Sequence, residues 1–465
     1  MKTMLSSIST TNDETERLLG FSDAVFAIAM TFLALDLGAV PDDVGRPGGP
    51  TTVDFLHENI PDYVVYFGTF LVVGFLWWRH HLMFRYIKRN SGGILWTNTL
   101  MLALVAMLPY PASVLSEAPG SGLALLMLLV PLTAIGLLMW LQWELAVHGH
   151  LVIPGLPKPY ISYVRAQVMA SPIVLALASG AAAYSWLNKS TTANRIAFAM
   201  WTLLIILPII LRRFFPAPDQ AYEVKVAALP ETWQSLEETE QEETKRIRGL
   251  LARLRNGSDT DRIKVLTDGV VAIAVTILAL QLRPPPTTEA INDETILENL
   301  YAVPAWTYFV TFVLISLFWR GHVRIFTYLQ GADPVVLWLN LFFLMFMSFL
   351  PTAAAISAQD QGTTALAFYL LMMFFTGAAM AVLGQYGSRA KNLTVELGTE
   401  TQRMIATLRA VTAVSAFLIA LILVVVFDNP ALSNVIWVIF ILSGQLSRYL
   451  RHREMAQSTA TAATG

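Results

Sequence analysis

The chain has 465 residues, 55% of them hydrophobic and 14% charged, with a mean hydropathy of +0.55. Soluble domains carry about 25% charged residues, so this composition excludes an ordinary soluble globule. The formal net charge of -2 gives no general pull toward nucleic acid, and the absence of cysteine excludes disulfides and thiolate metal or thiol chemistry.

The first residues, MKTMLSSISTTNDETER, are polar and lack the apolar core of a cleavable signal peptide. The first spanning helix then acts as its own insertion signal. About twelve long apolar runs follow, each of the length that reads as a membrane-spanning helix. In the first half they fall near 21–38, 62–84, 94–115, 122–147, 162–187 and 195–214. In the second half they fall near 266–283, 305–327, 335–357, 364–386, 405–427 and 431–449. The runs do not alternate as barrel strands do, and lipid offers no water to open backbone groups, so helix is the reading. The predicted fold is an all-α integral membrane protein with about twelve transmembrane helices in two parallel six-helix repeats. The predicted domains are a first repeat over 1–215, a charged cytoplasmic linker over 216–261, a second repeat over 262–450 and a cytoplasmic tail over 451–465.

Positive charge sets the orientation. Arg79, Arg85, Lys88 and Arg89, then Arg212 and Arg213, Arg320 and Arg324, and Arg448, Arg451 and Arg453 share one side if the N-terminus is cytoplasmic. The opposite loops carry Asp42, Asp43, Asp54 and Glu58, and then Asp293, Glu294 and Glu298. Both termini are therefore expected in the cytoplasm. An even helix number per half makes the repeats parallel rather than inverted.

The halves also match residue by residue. Residues 16–37, ERLLGFSDAVFAIAMTFLALDL, and 261–282, DRIKVLTDGVVAIAVTILALQL, agree at about half of their positions, with Arg17/Arg262, Asp23/Asp268, Ile28/Ile273, Thr31/Thr276 and Leu35/Leu280 in register. A steady, slightly shorter offset then aligns Thr69/Thr311, Trp77/Trp319, His80/His322, Asn98/Asn340 and Pro109/Pro351. Apolar bias yields chance Leu and Ala matches, but not matched Arg, Asp, His, Trp, Asn and Pro in order, so the chain is an internal duplication. If two such chains meet, four copies of the first helix surround one axis and enclose a pore. Ile28, Thr31, Phe32 and Leu35 lie at i, i+3, i+4 and i+7, one helical face, and Ile273, Thr276, Ile277 and Leu280 repeat it.

The entry to the first helix reads Arg17-Leu-Leu-Gly-Phe21-Ser22-Asp23, followed by an Ala27–Thr31 stretch of the form AIA-x-T. This R-x-x-x-F-S-D pattern resembles the signature of the endosomal and lysosomal transmembrane potassium-channel family, which has bacterial members. In the second half Leu266 and Thr267 stand at the Phe and Ser positions. The resemblance implies a potassium-selective cation channel whose pore is lined by the first helix of each repeat. It implies an apolar constriction at Ile28 and Ile273, with Thr31 and Thr276 one turn on. It also implies a homodimer and potassium as the permeant ion; the residues themselves suggest no cofactor and no metal site. No TVGYG-type filter is present, in keeping with a fold unlike the common potassium channels. An apolar ring gates by dewetting and need not exclude a proton leak. The surrounding membrane is expected to be a bacterial cell membrane.

Charges inside a membrane are costly. Arg17, Ser22, Asp23, His80 and Asn98, with Arg262, Asp268, His322 and Asn340, read as a polar network fixing each first helix to the next two. The competing role for Asp23 and Asp268 is cation attraction at the inner mouth, and Asp36 is a candidate for the outer mouth. His148 and His150 form an H-x-H without a third ligand. Trp77, Trp78, Trp96, Trp319 and Trp338 read as an interfacial aromatic belt. No phosphate loop, zinc-protease helix or nucleophile elbow occurs, so the chain reads as a non-enzyme. The runner-up is a secondary transporter with two parallel halves, which ordinarily carries charged or broken helices in mid-membrane. Here the charges sit at helix ends.

Overall fold

A computed structural model describes residues 2–214 except 36, 38, 39, 42, 154 and 155, then 259–280, 303–389 except 330, and 400–449 except 443 and 447. The linker up to residue 258, the tail and Asp36 lie outside the described residues; residues 259–261, expected in the linker, open a helix. The helices are α1 (Lys2–Leu35), α2 (Thr52–Glu58), α3 (Ile60–Phe84), α4 (Gly92–Met107), α5 (Pro109–Glu117), α6 (Gly122–His148), α7 (Lys158–Asn188), α8 (Thr191–Phe214), α9 (Asp259–Ala279), α10 (Val303–Tyr328), α11 (Pro334–Gln359), α12 (Thr363–Arg389) and α13 (Glu400–Phe427). A short 3-10 turn over Pro430–Asn434 leads into the last helical stretch. Eight helices among the described residues are long and apolar enough to cross a membrane. The protein is an all-helical, multi-pass membrane protein.

The chain divides into two compact units that do not follow the repeat boundaries. Among the described residues, the first comprises those within 1–33 and 64–266, the second those within 34–63 and 267–449. The first turns of α9, with Arg262, thus belong to the first unit, and the loop after α1 belongs to the second.

In the first unit α6 packs along α7, α7 along α8, and α4 against α6. Small residues permit the close approach. A Cβ on Gly136 would stand 3.1 Å from Pro172, and one on Gly122 would stand 2.7 Å from the Trp186 backbone nitrogen. Glu144 receives a two-pronged bond from Arg165 at 2.6 and 2.7 Å, and Thr133 meets Ser179 at 3.3 Å, which fixes the antiparallel register of α6 and α7. Helix starts are capped by Ser91 and Ser121, whose hydroxyls accept from the backbone of Ile94 and Ala124. Pro109, which has no N–H to give, marks the break between α4 and α5. Its repeat counterpart Pro351 is carried inside the unbroken α11.

In the second unit α10 packs on α11, α11 on α12, and α12 on α13. Val40 and Val44 from the loop after α1 and Phe55 on α2 form a small buried cluster with Ile356 and Ala365. Tyr63 packs edge-on against Phe349 at 5.6 Å. Thr352 donates to the Ala34 carbonyl at 3.3 Å, and Thr52 donates to Asp360.

Candidate pore helices and their polar anchor

Asp23 stands at the centre of the first unit's polar site, 1% exposed. Its carboxylate accepts from the Trp77 indole N–H at 2.8 Å and from both Nε (3.0 Å) and Nη2 of Arg262. Arg262 Nη2 also lies 3.0 Å from His80 Nδ1, and His80 Nε2 lies 3.0 Å from Asn98 Oδ1. Asn98 donates to Ser22 Oγ at 3.0 Å, and Ser22 donates to the Leu18 carbonyl at 2.8 Å.

This chain of bonds fixes every proton. Ser22 spends its hydroxyl hydrogen on Leu18, so it accepts from the Asn98 amide. That turns the Asn98 oxygen toward His80, whose Nε2 must then donate. Arg262 can only donate, so His80 Nδ1 must accept, and the imidazole is neutral. Residues from α1, α3, α4 and α9 are thus tied together in a buried site where charge-assisted bonds are strongest.

The second unit holds a weaker version. His322 meets Asn340 at 2.8 Å, and Asn340 donates to Thr267 Oγ1 at 3.2 Å. Trp319 donates to Asp268 at 2.8 Å. Asp268 itself is exposed, and no arginine reaches it among the described residues.

Two details depart from the sequence expectation. Arg17, six residues before Asp23, is exposed and takes no part in the site; Arg262 occupies that role. Trp77, expected in an interfacial belt, is fully buried as a hydrogen-bond donor, while Trp96 is 73% exposed as a belt residue would be. The Trp77–Asp23 bond was the functional contact that reasoning from sequence missed. The conserved spacing of Trp77/Trp319 between the repeats was the available signal.

The candidate pore residues divide by position. Ile28 (42% exposed), Phe32 (43%) and Leu35 (42%) form an open stripe on α1 with Phe21 and Ala24. Thr31 is buried and donates to its own helix at Ala27 and Ile28, both at 2.9 Å, so it lies off that stripe. On α9, Ile273 is half-buried, Leu280 is exposed, Ile277 is buried and Thr276 is exposed. His148 and His150 gather no third ligand, and no cluster of metal-binding side chains occurs among the described residues.

A family described as the endosomal/lysosomal potassium channel TMEM175 matches residues 17–109 and 262–351, the two segments that hold α1 to α4 and α9 to α11. A potassium channel of Streptomyces collinus is 36% identical over 152 residues, which is 32% of this chain and 72% of that protein. The chain belongs to the TMEM175 family. The human endosomal/lysosomal proton channel TMEM175 is 40% identical over 98 residues, 20% of this chain and 19% of that protein. Against the zebrafish TMEM175 protein the match likewise covers only 21% of that protein's length. A crystal structure of a lysosomal potassium-selective channel TMEM175 homologue from Chamaesiphon minutus aligns at 22% identity and a TM-score of 0.31. That alignment covers 42% of this chain and 97% of that one.

Proposed function

We propose that the protein is a potassium-selective cation channel, and not an enzyme, formed by two copies whose four first-type helices, α1 and α9 of each, enclose the pore. One observation carries the reading: the two repeat-related helices expose complementary faces. Asp23, Ala27, Thr31 and Ala34 are buried on α1, while their counterparts Asp268, Ala272, Thr276 and Ala279 are exposed on α9. Conversely, Arg262, Leu266 and Ile277 are buried on α9, while Arg17, Phe21 and Phe32 are exposed on α1. Each open face is the repeat-equivalent of one already covered. A second copy related by a two-fold axis covers both at once and closes a ring of four. In that ring Arg17 of each chain meets Asp268 of the other, as Arg262 meets Asp23.

Ile28 with Ile273 and Leu35 with Leu280 are open or half-open on both helices and so point to the ring's centre, with Phe32 and Ile277 between them. Thr31 and Thr276 sit on the shoulder. An isoleucine ring offers a permeating ion no oxygen ligand, so it acts as an apolar constriction that wets and dewets. Relatives carrying the names potassium channel and proton channel support potassium as the permeant ion and leave room for a proton leak. The distribution of positive charge supports cytoplasmic termini, and relatives from Streptomyces collinus and Chamaesiphon minutus support a bacterial cell membrane. The polar anchor supports a positioning role for Asp23, which is engaged on both carboxylate oxygens.

Flux from proteoliposomes tests the assignment. Vesicles loaded with potassium and diluted into sodium should lose potassium, with counter-ion release by a protonophore, and flux should saturate weakly with concentration. Uptake that requires a second, coupled solute would point instead to the secondary transporter.

A further inference from the structure

In the first unit the α3–α4 turn and the α6–α7 turn are tied together, on the side that the charge rule places in the cytoplasm. Ile87 and Val152 form an antiparallel bridge between them. The backbone N–H groups of Lys88 and Arg89 both donate to the Leu151 carbonyl, at 3.0 and 3.2 Å, and that of Ile153 donates to the Tyr86 carbonyl at 3.0 Å. Tyr86, Ile87, Ile153 and Tyr160 are buried at this junction, with the Tyr86 and Tyr160 rings 6.0 Å apart. The apolar side chains are covered, and Lys88 and Arg89 are left exposed. Arg89 is steadied by a bond from Nη2 to the His150 carbonyl at 2.9 Å.

The charge here exceeds what the turns need. Residues 85–91 and 144–165 hold Arg85, Lys88, Arg89, Lys158 and Arg165 against a single acid, Glu144, a formal charge of +4. Glu144 is itself engaged by Arg165, and no carboxylate reaches Lys88 or Arg89 among the described residues. The repeat-equivalent residues, 327–333 and 385–406, hold Arg389, Lys391 and Arg403 against Asp333, Glu396 and Glu400, a formal charge of 0. Gln330 and Gly331 stand where Lys88 and Arg89 do. The second repeat thus joins the same helices without the excess charge.

An apolar stripe runs up to these cations. Leu137, Leu141 and Leu145 follow one another at four-residue spacing on one face of α6, and all three are exposed. The stripe ends beside the basic turn, since a Cβ on Gly93, four residues after Arg89, would stand 3.6 Å from the Leu145 side chain. In the second repeat Ala378, Val382 and Tyr386 take the stripe positions, and Tyr386 donates to Asp333, so an acid stands at its end. Uncompensated cations at the membrane boundary, with an apolar face leading from them into the bilayer, match the two ends of one anionic lipid. A soluble anion would meet the cations and leave the stripe bare.

We propose that Lys88 and Arg89 bind the phosphate of an anionic glycerophospholipid of the cytoplasmic leaflet, with an acyl chain along Leu137, Leu141 and Leu145. Native mass spectrometry of the whole chain in detergent tests it, by titration with phosphatidylglycerol and with phosphatidylcholine of the same chains. The first phosphatidylglycerol should bind at least about tenfold tighter than phosphatidylcholine, and a large excess of inorganic phosphate should not displace it. Each cation next to a membrane surface contributes roughly fivefold in affinity. Lys88→Gln with Arg89→Gln should therefore weaken phosphatidylglycerol at least about tenfold, and Lys88→Gln alone, which keeps Arg89 on His150, about fivefold. Arg320→Gln with Arg324→Gln removes the same charge from exposed positions on α10 and should leave binding unchanged. Equal binding of the two lipids, displacement by inorganic phosphate, unchanged binding in the Lys88 variants, or an equal loss in the α10 variant overturns the proposal. It rests on the orientation proposed above and is read by binding rather than current, so its failure leaves the channel reading standing, and a silent bilayer leaves the lipid site standing.

Discussion

Asp23 is the residue on which the helices of the first anchor converge, and removing either of its donors leaves it buried and short of a partner. Breaking a buried ion pair by deleting one member costs about 3–5 kcal/mol, because the other charge stays desolvated. Arg262→Ala is therefore expected to lower the unfolding temperature markedly, and Trp77→Phe to cost about 1–3 kcal/mol. Arg17→Ala should leave the stability of a dilute, monomeric chain nearly unchanged. Thermal unfolding of the three variants in detergent checks this ranking; an Arg17 effect equal to that of Arg262 would contradict it. Asp23, His80 and Asn98 were legible in the sequence because the duplication matched polar residues that apolar bias does not produce, and Ser22 because it stands in the R-x-x-x-F-S-D pattern. The arginine that serves Asp23 was not. Nearness along the chain favoured Arg17, and only the fold brings Arg262, 239 positions away, onto the carboxylate.

At the scale of the helix, a period of 3.6 residues places i+7 about 20° and i+4 about 40° from residue i, but i+3 about 60° away. That is why Ile28, Phe32 and Leu35 share the open stripe while Thr31, counted on the same face from sequence, turns to its shoulder. The existence of the stripe was legible; its edges depend on which neighbour covers each flank, which no periodicity contains. The short helix α2 offers a separate check. Thr51 and Asp54 form a reciprocal cap, and the hydrogen bonds from Thr51 hold the Asp54 carboxyl below the usual carboxylate range. A lowered pKa gives stability that is present above the unfolded value, near 4, and is lost as pH falls through the folded value. Amide exchange over residues 52–58 should thus be protected at pH 7 and lose part of that protection as pH falls through the lowered Asp54 value, beyond the general acid slowing of exchange. Protection independent of pH would show that the cap does not hold this helix.

At the scale of the whole molecule, the account rests on a ring closed by two chains. The protein has no cysteine of its own, so an introduced pair reports without background. Arg17→Cys with Asp268→Cys is expected to give an oxidised, covalent dimer in membranes, in amounts well above those from pairs placed on the buried counterparts Arg262 and Asp23. Monomer alone under oxidation would remove the two-chain ring. The helical, two-repeat character of the chain was readable from hydropathy and from matched residues, since lipid leaves the backbone no choice but helix. The partition into units was not, because the loop after α1 and the start of α9 each pack with the half their sequence does not name.

The central claim is that Ile28 and Ile273 form the constriction of a potassium-selective pore. The direct test is the bi-ionic reversal potential, potassium against sodium, in planar bilayers, for the unmodified protein and for Ile28→Asn and Ile273→Asn. The account predicts discrete currents that favour potassium and a reversal potential that moves toward zero in each variant, with selectivity reduced at least about tenfold, equivalent to about 1.4 kcal/mol. Potassium-selective currents left unchanged by both substitutions would place the selectivity elsewhere in the chain and contradict the account.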